Sequence, residues 1–312
     1  MASHKPRDIY REVTDRIIQA LEQGTAPWVR PWSVESDPFP INAATRRRYR
    51  GINTLLLHLT ALQCGYARNR WLTYRQALSL GAHVRCGEHG VGIVFFRVIE
   101  VSPEDQHSRV TGSQDASRED DTPRSARLLR IFTVFNVAQI EDLPARLTEP
   151  EAVIGWDTVG EAEAIIQSSG ADIRYGGNAA YYSPGPDRIQ LPPRAAFKQA
   201  EDFYATALHE LIHHTAHPTR LARPLNPKGH PAYAMEELIA ELGSAFLCAH
   251  CRLDGELHHP EYLSHWLEAL RVDKRAIFTA SVQAQKAADF LLKPVLGSED
   301  DAQQAGTDDE SP

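Results

Sequence analysis

The segment Ala207–His214 limits the possible folds of this chain more than any other stretch, because it contains His209-Glu210-x-x-His213. Two histidines four residues apart lie on one face of a helix, so both imidazoles can bind a single metal ion. Glu210 follows the first histidine and can act on a water at that ion. Gln199–Ala216 contains neither Pro nor Gly and has apolar residues at helical spacing, which predicts a helix.

A second periodic segment, Ala234–Phe246, supplies a candidate third ligand. A catalytic zinc ion usually has three protein ligands and one open position. Glu237 and Glu241 share one face of this predicted helix, opposite its apolar stripe. We expect Glu237 to be the third ligand and Glu241 to accept a hydrogen bond from the outer N–H of a ligand histidine. Two alternatives stay open: a solvated acidic face, or ligation by Glu236 or Glu241.

The charge of the chain is unevenly distributed. Its 312 residues carry a net charge of −8, yet residues 1–100 hold fourteen Lys or Arg against eight Asp or Glu, a net +6 that leaves −14 for the rest. A basic first third indicates a polyanion-binding N-terminal domain. The chain has four cysteines, which suits a reducing compartment, and no apolar run near the ~18 residues of a membrane span. We therefore expect a cytoplasmic protein with no membrane partner.

Two basic stretches with aromatic residues are candidate contacts to nucleic acid. Trp28, Arg30 and Trp32 lie on a Pro-stiffened loop where bases can stack on the indole rings; the alternative is that both tryptophans cap the core. The second stretch consists of Arg46, Arg47, Arg48, Tyr49 and Arg50. Four arginines around a tyrosine at a turn suit contacts to phosphates and bases, although a solvated turn has the same composition.

The element pattern predicts an α+β protein with two domains. The first, residues 1–149, is a small basic α+β domain with an amphipathic helix from Asp8 to Gln23. Strands 91–99 and 127–137 are expected to pair as a hairpin. The polar stretch 102–125 between them has almost no apolar residues and is predicted to be a disordered insertion.

The second domain, residues 150–297, is predicted to be mainly helical with a small sheet. Short strands precede the His209 helix at 173–175, 180–182 and 188–191. In zincins such a sheet uses its edge strand to bind an extended peptide. Further helices are expected at 261–271 and 274–292. Residues 298–312 form an acidic tail that we expect to be disordered.

Several motifs in this order resemble the ArdC-type antirestriction proteins. They are Tyr10–Ile18, Ala26–Trp28, Tyr49–Asn53, Trp71–Ala77, Phe132–Asn136, His209–His213, Glu236–Glu241 and Asp273–Phe278. The resemblance covers roughly residues 8–100 and 127–293. It implies a single-stranded-DNA-binding domain joined to a zincin-like metallopeptidase domain. It also implies a mobile-element protein that protects incoming conjugative DNA from host restriction.

The resemblance adds Asn53, Arg75 and Arg85 to the expected DNA-binding residues. Cys86 and His89 stand where basic residues are usual, which is expected to weaken DNA binding.

In the implied mechanism one Zn²⁺ per chain is held by His209, His213 and Glu237, and the ion lowers the pKa of its water to about 7. Glu210 then acts as general base. The candidate transition-state donors are Tyr182, His230 and Tyr233.

The implied peptide substrate is a host restriction subunit or another protein, and two other classes stay open. One is a single-stranded-DNA-binding protein whose metal is structural or vestigial. The other is an acidic decoy that mimics DNA, which is disfavoured because the acidic residues lie outside the domain that resembles a DNA binder.

Overall fold

The computed structural model describes residues 8–26, 28, 39–100, 125–148, 158–227, 230, 232–253 and 260–296. The predicted insertion, apart from Ser125, and the predicted acidic tail lie outside the described residues, so their expected disorder stays a prediction. Arg30 and Trp32 lie outside them as well. The architecture is α+β, as predicted.

The first half combines helices with a mixed sheet. Its helices are α1 (Ile9–Glu22), α2 (Ile52–Cys64), α3 (Tyr74–Ser79) and α4 (Ala145–Thr148). Its strands are β1 (Ile41–Asn42), β2 (Arg70–Thr73), β3 (His83–Val84), β4 (Val91–Glu100), β5 (Ser125–Asn136) and β6 (Ile140–Glu141). The main sheet has the order β1-β2-β5-β4, with β1 parallel to β2 and the other neighbours antiparallel, and β3 pairs with β6 separately.

The predicted hairpin is confirmed: β4 and β5 pair from Val91 opposite Val134 to Glu100 opposite Ser125. The chain enters it through Gly90, where a Cβ atom would come within 2.4 Å of Thr133 Cγ2 and 2.8 Å of the Val134 carbonyl oxygen. Only glycine allows this close approach without a shift of the backbone. The segment that enters β4 therefore packs tightly against β5.

The second half of the chain is built around the packed helices α6 (Ala200–His214) and α7 (Tyr233–Cys251). It also contains α5 (Thr158–Ser168), β7 (Asp172–Tyr175), β8 (Tyr181–Ser183), β9 (Arg188–Leu191), α8 (Pro260–Val272) and α9 (Ala276–Leu296). The small sheet has the order β7-β9-β8, so β8 is an edge strand, antiparallel to β9. Both β8 and β9 contact α6.

Helices α6 and α7 are buried and closely packed. Glu201 and Asp202 in the first turn of α6 complement the helix dipole, and the helix is buried from Leu208 to His214. The Ser244 hydroxyl of α7 donates a hydrogen bond of 3.1 Å to the Ala205 carbonyl. The two helices are thereby fixed side by side over the length that carries the predicted metal ligands.

The hydrophobic core is continuous across the two predicted domains. Helices α1 and α2 contribute to the same buried cluster as α5 to α9. Trp28 packs edge-on against Trp266 at 5.7 Å between ring centroids, and the Thr14 hydroxyl donates a 2.7 Å hydrogen bond to the Lys274 carbonyl. The first α-helix thus packs on the C-terminal helices. Within the part of the chain that the structure describes, no helix combines the length and apolar content needed to cross a membrane.

Candidate metal centre and nucleic-acid surface

Three buried side chains converge where α6 meets α7. His209 and His213, one turn apart on α6, have ring centroids 4.9 Å apart. Glu237 of α7 lies between them, with Oε2 3.7 Å from His209 Nε2 and Oε1 3.4 Å from His213 Nε2. These are the three predicted ligands, and their ligand atoms all lie within 4.8 Å of one another.

The donor set fits a divalent metal ion. Ligands bound at about 2.1 Å in a tetrahedral arrangement are roughly 3.4 Å apart, close to the observed separations. Burial alone would lower the pKa of His213, but hydrogen bonds to Glu236 and Glu237 more than offset it and raise that pKa to about 10. The same histidines hold the pKa of Glu237 well below its usual range despite its burial. The site therefore stabilises positive charge between the imidazoles.

Glu210 lies at the edge of this cluster. It follows His209 on α6 and is 6% exposed. Its negative charge is one of those that raise the pKa of His213. A carboxylate in this position matches the predicted general base, and that role stays a prediction.

The outer nitrogen of His213 faces Glu236. The Nδ1 atom lies 3.2 Å from Glu236 Oε1, and because a carboxylate can only accept, Nδ1 carries the proton. Glu241 is the predicted acceptor for the outer N–H of a ligand histidine; for His213 the structure places Glu236 there. Glu236 also pairs with buried Arg223. These contacts do not support the alternative that Glu236 is itself a metal ligand. Glu241 is buried one turn beyond Glu237.

The three candidate transition-state donors differ in position. Tyr182 already donates its hydroxyl proton to Asp187 Oδ1 at 2.7 Å. His230 is exposed, and its Nδ1 accepts from the Ala232 amide. Tyr233 is the first residue of α7, four residues before Glu237 and hence on the same helix face. Of the three, Tyr233 is therefore the best placed relative to the ligands.

Two predicted DNA contacts have structural roles instead. Trp28 is 3% exposed and packs on Trp266, so it caps the core, the alternative left open by the sequence. Asn53 uses both ends of its amide on Val94, donating to the carbonyl oxygen and accepting from the amide, each at 2.8 Å. Burial and these contacts do not support a DNA-binding role for either side chain, and that role stays a prediction.

The arginine run forms an exposed turn. Arg46, Arg47 and Arg48 are exposed, and the Arg48 guanidinium lies 4.8 Å from the centre of the Phe39 ring. Tyr49 is half-buried, and burial raises the pKa of its hydroxyl to about 12. Arg50 forms an ion pair with Asp289 of α9. Three of the four arginines are thus exposed on this turn, whereas Tyr49 offers less of its ring than expected.

The start of α3 lies beside this turn. The side chain of Asn42, which begins the turn, donates a 3.1 Å hydrogen bond to Gln76 of α3. Arg75 is exposed on that helix, as a DNA contact requires, and Tyr74 before it is 51% exposed. Tyr74 is not among the predicted DNA contacts, although the Thr73–Gln76 capping box marks it as the first helical residue.

The last predicted contact, Arg85, lies on a separate turn. Its guanidinium is paired with Glu88 at 2.6 Å, so it is partly neutralised.

The fold and the buried His-His-Glu cluster define a protein of the zincin-like class. Residues 160–283 match the zincin-like metallopeptidase family, and residues 7–135 match the N-terminal domain of anti-restriction factor ArdC. The chain belongs to the ArdC antirestriction family. The crystal structure of metal-free antirestriction protein ArdC from plasmid R388 is 40% identical with a TM-score of 0.77, covering 93% of this chain and 98% of that one. The Mn(II)-bound structure of that protein is 39% identical with a TM-score of 0.74, covering 94% and 100%.

Three proteins of related sequence each match 92% of this chain. The uncharacterized protein y4eC of Sinorhizobium fredii is 41% identical over 92% of both chains. Two Escherichia coli DNA primases TraC are 38% and 36% identical over 92% of this chain, which spans only 27% and 20% of their length. Most of this chain thus corresponds to one segment of those longer primases.

Proposed function

We propose that this protein binds incoming single-stranded DNA and protects it from host restriction, and that it carries a zinc peptidase centre. The observation that carries the peptidase part is the convergence of His209, His213 and Glu237 within 4.8 Å in a buried position. Buried charged groups are costly unless they are paired or hold a metal. We propose one Zn²⁺ per chain at these three residues.

The chemistry follows from the residues around that position. A divalent ion there lowers the pKa of a bound water to about 7 and polarises a substrate carbonyl. The Glu210 carboxylate accepts a proton from the attacking water and passes it to the leaving amine nitrogen. Tyr233 donates a hydrogen bond to the oxyanion that develops on the scissile carbonyl.

An extended peptide is the substrate class that suits the small sheet. Strand β8 lies at the edge of that sheet and contacts α6, which carries His209 and His213. A peptide that adds to this edge forms main-chain hydrogen bonds and runs close to α6. A host restriction subunit is the substrate that fits an antirestriction role.

The DNA surface consists of the Arg46–Arg48 turn and the start of α3. Its exposed arginines contact phosphates, and the exposed Tyr74 ring stacks on a base. Exposed bases make single strands the preferred ligand, with an affinity that falls steeply as salt rises. We favour protection by coating of the entering strand, because this surface has an evident target.

Survival of unmodified plasmid DNA, conjugated into a restricting recipient, separates the two activities. If coating protects, Glu210→Gln retains protection and the triple change of Arg46, Arg47 and Arg48 to Ala abolishes it. If cleavage protects, Glu210→Gln abolishes protection while DNA binding is intact. Glu201→Gln, in the first turn of the same helix, is the matched control for charge loss on α6. The control for the arginines replaces the exposed Lys198, Lys286 and Lys293 by Ala.

The remaining outcomes address the other protein classes. Loss of protection in both variants means that the two domains act together. Metal analysis tests the centre directly, since His213→Ala should lose about one zinc per chain and His217→Ala should not. Equal zinc in His213→Ala and wild type would contradict the ligand set. A chain lacking residues 298–312 that no longer protects would favour the acidic decoy.

A further inference from the structure

We propose that Arg223 is a positioning residue for the metal centre, which it controls through Glu236. This inference rests on the proposed use of His213 as a metal ligand. Arg223 lies in the loop between α6 and α7, the two helices that carry all three ligands, and it is 7% exposed. Its side-chain hydrogen bonds go to Glu236, Thr215 and the Ile212 carbonyl, none of which is a proposed metal ligand.

One edge of the guanidinium clamps Glu236. Arg223 Nε lies 3.0 Å from Glu236 Oε2, and Nη2 lies 2.7 Å from Oε1. Two parallel hydrogen bonds fix both the position and the plane of a carboxylate. Burial would raise the pKa of Glu236, but His213 and Arg223 together lower it, so the carboxylate stays ionised.

The other contacts of the guanidinium reach the end of α6. Nη1 donates to the Thr215 hydroxyl and Nη2 to the Ile212 carbonyl, each at 2.8 Å. Ile212 and Thr215 flank the ligand His213 along the helix. Arg223 therefore connects the turn of α6 that holds His213 to the first turn of α7, which holds Glu236 and leads into Glu237.

The clamp sets the orientation of the His213 ring. Glu236 Oε1 accepts from His213 Nδ1, which leaves Nε2 on the side of Glu237, 3.4 Å away. A carboxylate behind a ligand histidine fixes the tautomer and makes the ligand nitrogen more basic. The chain preceding Arg223 is strained to deliver this contact, because Ala222 adopts a φ of 50°, which residues with a Cβ rarely do.

The test measures Mn²⁺ affinity of the full chain from loss of the electron paramagnetic resonance signal of free Mn²⁺. Glu236→Gln and Arg223→Gln should each weaken binding by about 10–100-fold, the usual effect of losing such a support. If Arg223 acts through Glu236, the double variant binds no more weakly than the weaker single variant. Losses that multiply in the double variant would overturn the proposal.

Arg220→Gln is the matched control. Arg220 lies in the same loop and also donates to a carbonyl of α6, that of His214, at 2.6 Å, but it pairs with Asp187 of the β8–β9 turn instead of Glu236. This variant should keep wild-type Mn²⁺ affinity even if it loses thermal stability. An equal loss of affinity in Arg220→Gln would make loop anchoring in general the cause and overturn the specific role of Arg223.

Arg223→Lys guards against failure of Arg223→Gln to fold. Lysine retains the charge but lacks the fork that grips both oxygens, so affinity should fall between wild type and Glu236→Gln. Folded Arg223 variants with wild-type Mn²⁺ affinity would overturn the role of Arg223 but would leave the proposed metal centre intact. A wild-type chain that binds neither Mn²⁺ nor Zn²⁺ would overturn the proposed metal centre itself.

Discussion

Gly243 of α7 lies directly against Ile212 of α6. A Cβ atom on Gly243 would come within 2.7 Å of Ile212 Cδ1, 2.9 Å of Cγ1 and 3.1 Å of Cγ2. Ile212 is fully buried and cannot swing away. Because Ile212 precedes His213, the absence of a side chain at position 243 sets how closely α7 approaches the histidine ligands.

Gly243→Ala is therefore expected to weaken metal binding and to lower stability. Overpacking costs about 1–3 kcal/mol, and the better helix propensity of alanine returns up to about 1 kcal/mol. We expect a net loss of about 1 kcal/mol in the free energy of unfolding, measured by urea denaturation, together with weaker Zn²⁺ binding.

Two comparison variants test the cause. Adding Ile212→Val removes the Cδ1 atom and should restore part of both losses. Gly185→Ala, at a position with nothing within 4 Å of the new Cβ, should change neither. Unchanged metal affinity in Gly243→Ala would contradict the link between helix spacing and the ligands.

Trp28 and Tyr74 are expected to have opposite phenotypes. Trp28→Ala removes a buried indole and should cost about 3–5 kcal/mol of stability, while the DNA affinity of the folded fraction stays unchanged. Tyr74→Ala should leave stability nearly unchanged and cost about 1–3 kcal/mol of single-strand binding. Thermal melts and fluorescence anisotropy with an oligonucleotide measure the two effects. A folded Trp28 variant with lost DNA affinity would contradict the core assignment.

Local periodicity explains which elements the sequence predicts. Helix α1 was expected from Asp8 to Gln23 and spans Ile9–Glu22, because its apolar face repeats over four turns. The strands β1, β2, β3 and β6 were missed. β1, β3 and β6 have two residues each, too few for an alternating pattern, and the pairing of β2 with β5 joins residues more than sixty positions apart.

In the site, too, contacts within one helix can be predicted from the sequence, whereas contacts between elements cannot. The pairing of His209 with His213 follows from helical spacing alone. Whether Glu236 or Glu241 meets the outer nitrogen of His213 depends on how α7 rotates against α6, which is decided by close packing at Gly243. Arg223 lies in an irregular loop, where no periodicity marks a residue as buried.

Asp289→Asn should strengthen single-strand binding. Asp289 pairs with Arg50 next to the Arg46–Arg48 turn, and both side chains are partly exposed, at 41% and 48%. Such pairs are worth about 0.2–1 kcal/mol, so a phosphate can replace the carboxylate. Freeing Arg50 for one phosphate should steepen the slope of log affinity against log salt by about 0.7.

The control is Asp172→Asn. It removes an equally exposed carboxylate from arginine pairs on the small sheet, so it changes net charge without freeing Arg50. Both variants would raise affinity alike if net charge alone were the cause. Titrations at several salt concentrations distinguish the two explanations.

His250 should make the folded protein less stable in mild acid. Burial, aided by the positive charge of Arg48, lowers the pKa of His250 from about 6.5 to about 4. Between these values the unfolded chain binds a proton that the folded chain does not, so stability is lost as pH falls from about 6.5 to about 4. The slope from one such group is about 1.4 kcal/mol per pH unit at most. His250→Leu should flatten the dependence of the unfolding free energy on pH relative to wild type. Denaturant unfolding at pH 7, 6, 5 and 4.5 measures the difference, and parallel curves for wild type and His250→Leu would show that His250 is protonated equally in both states.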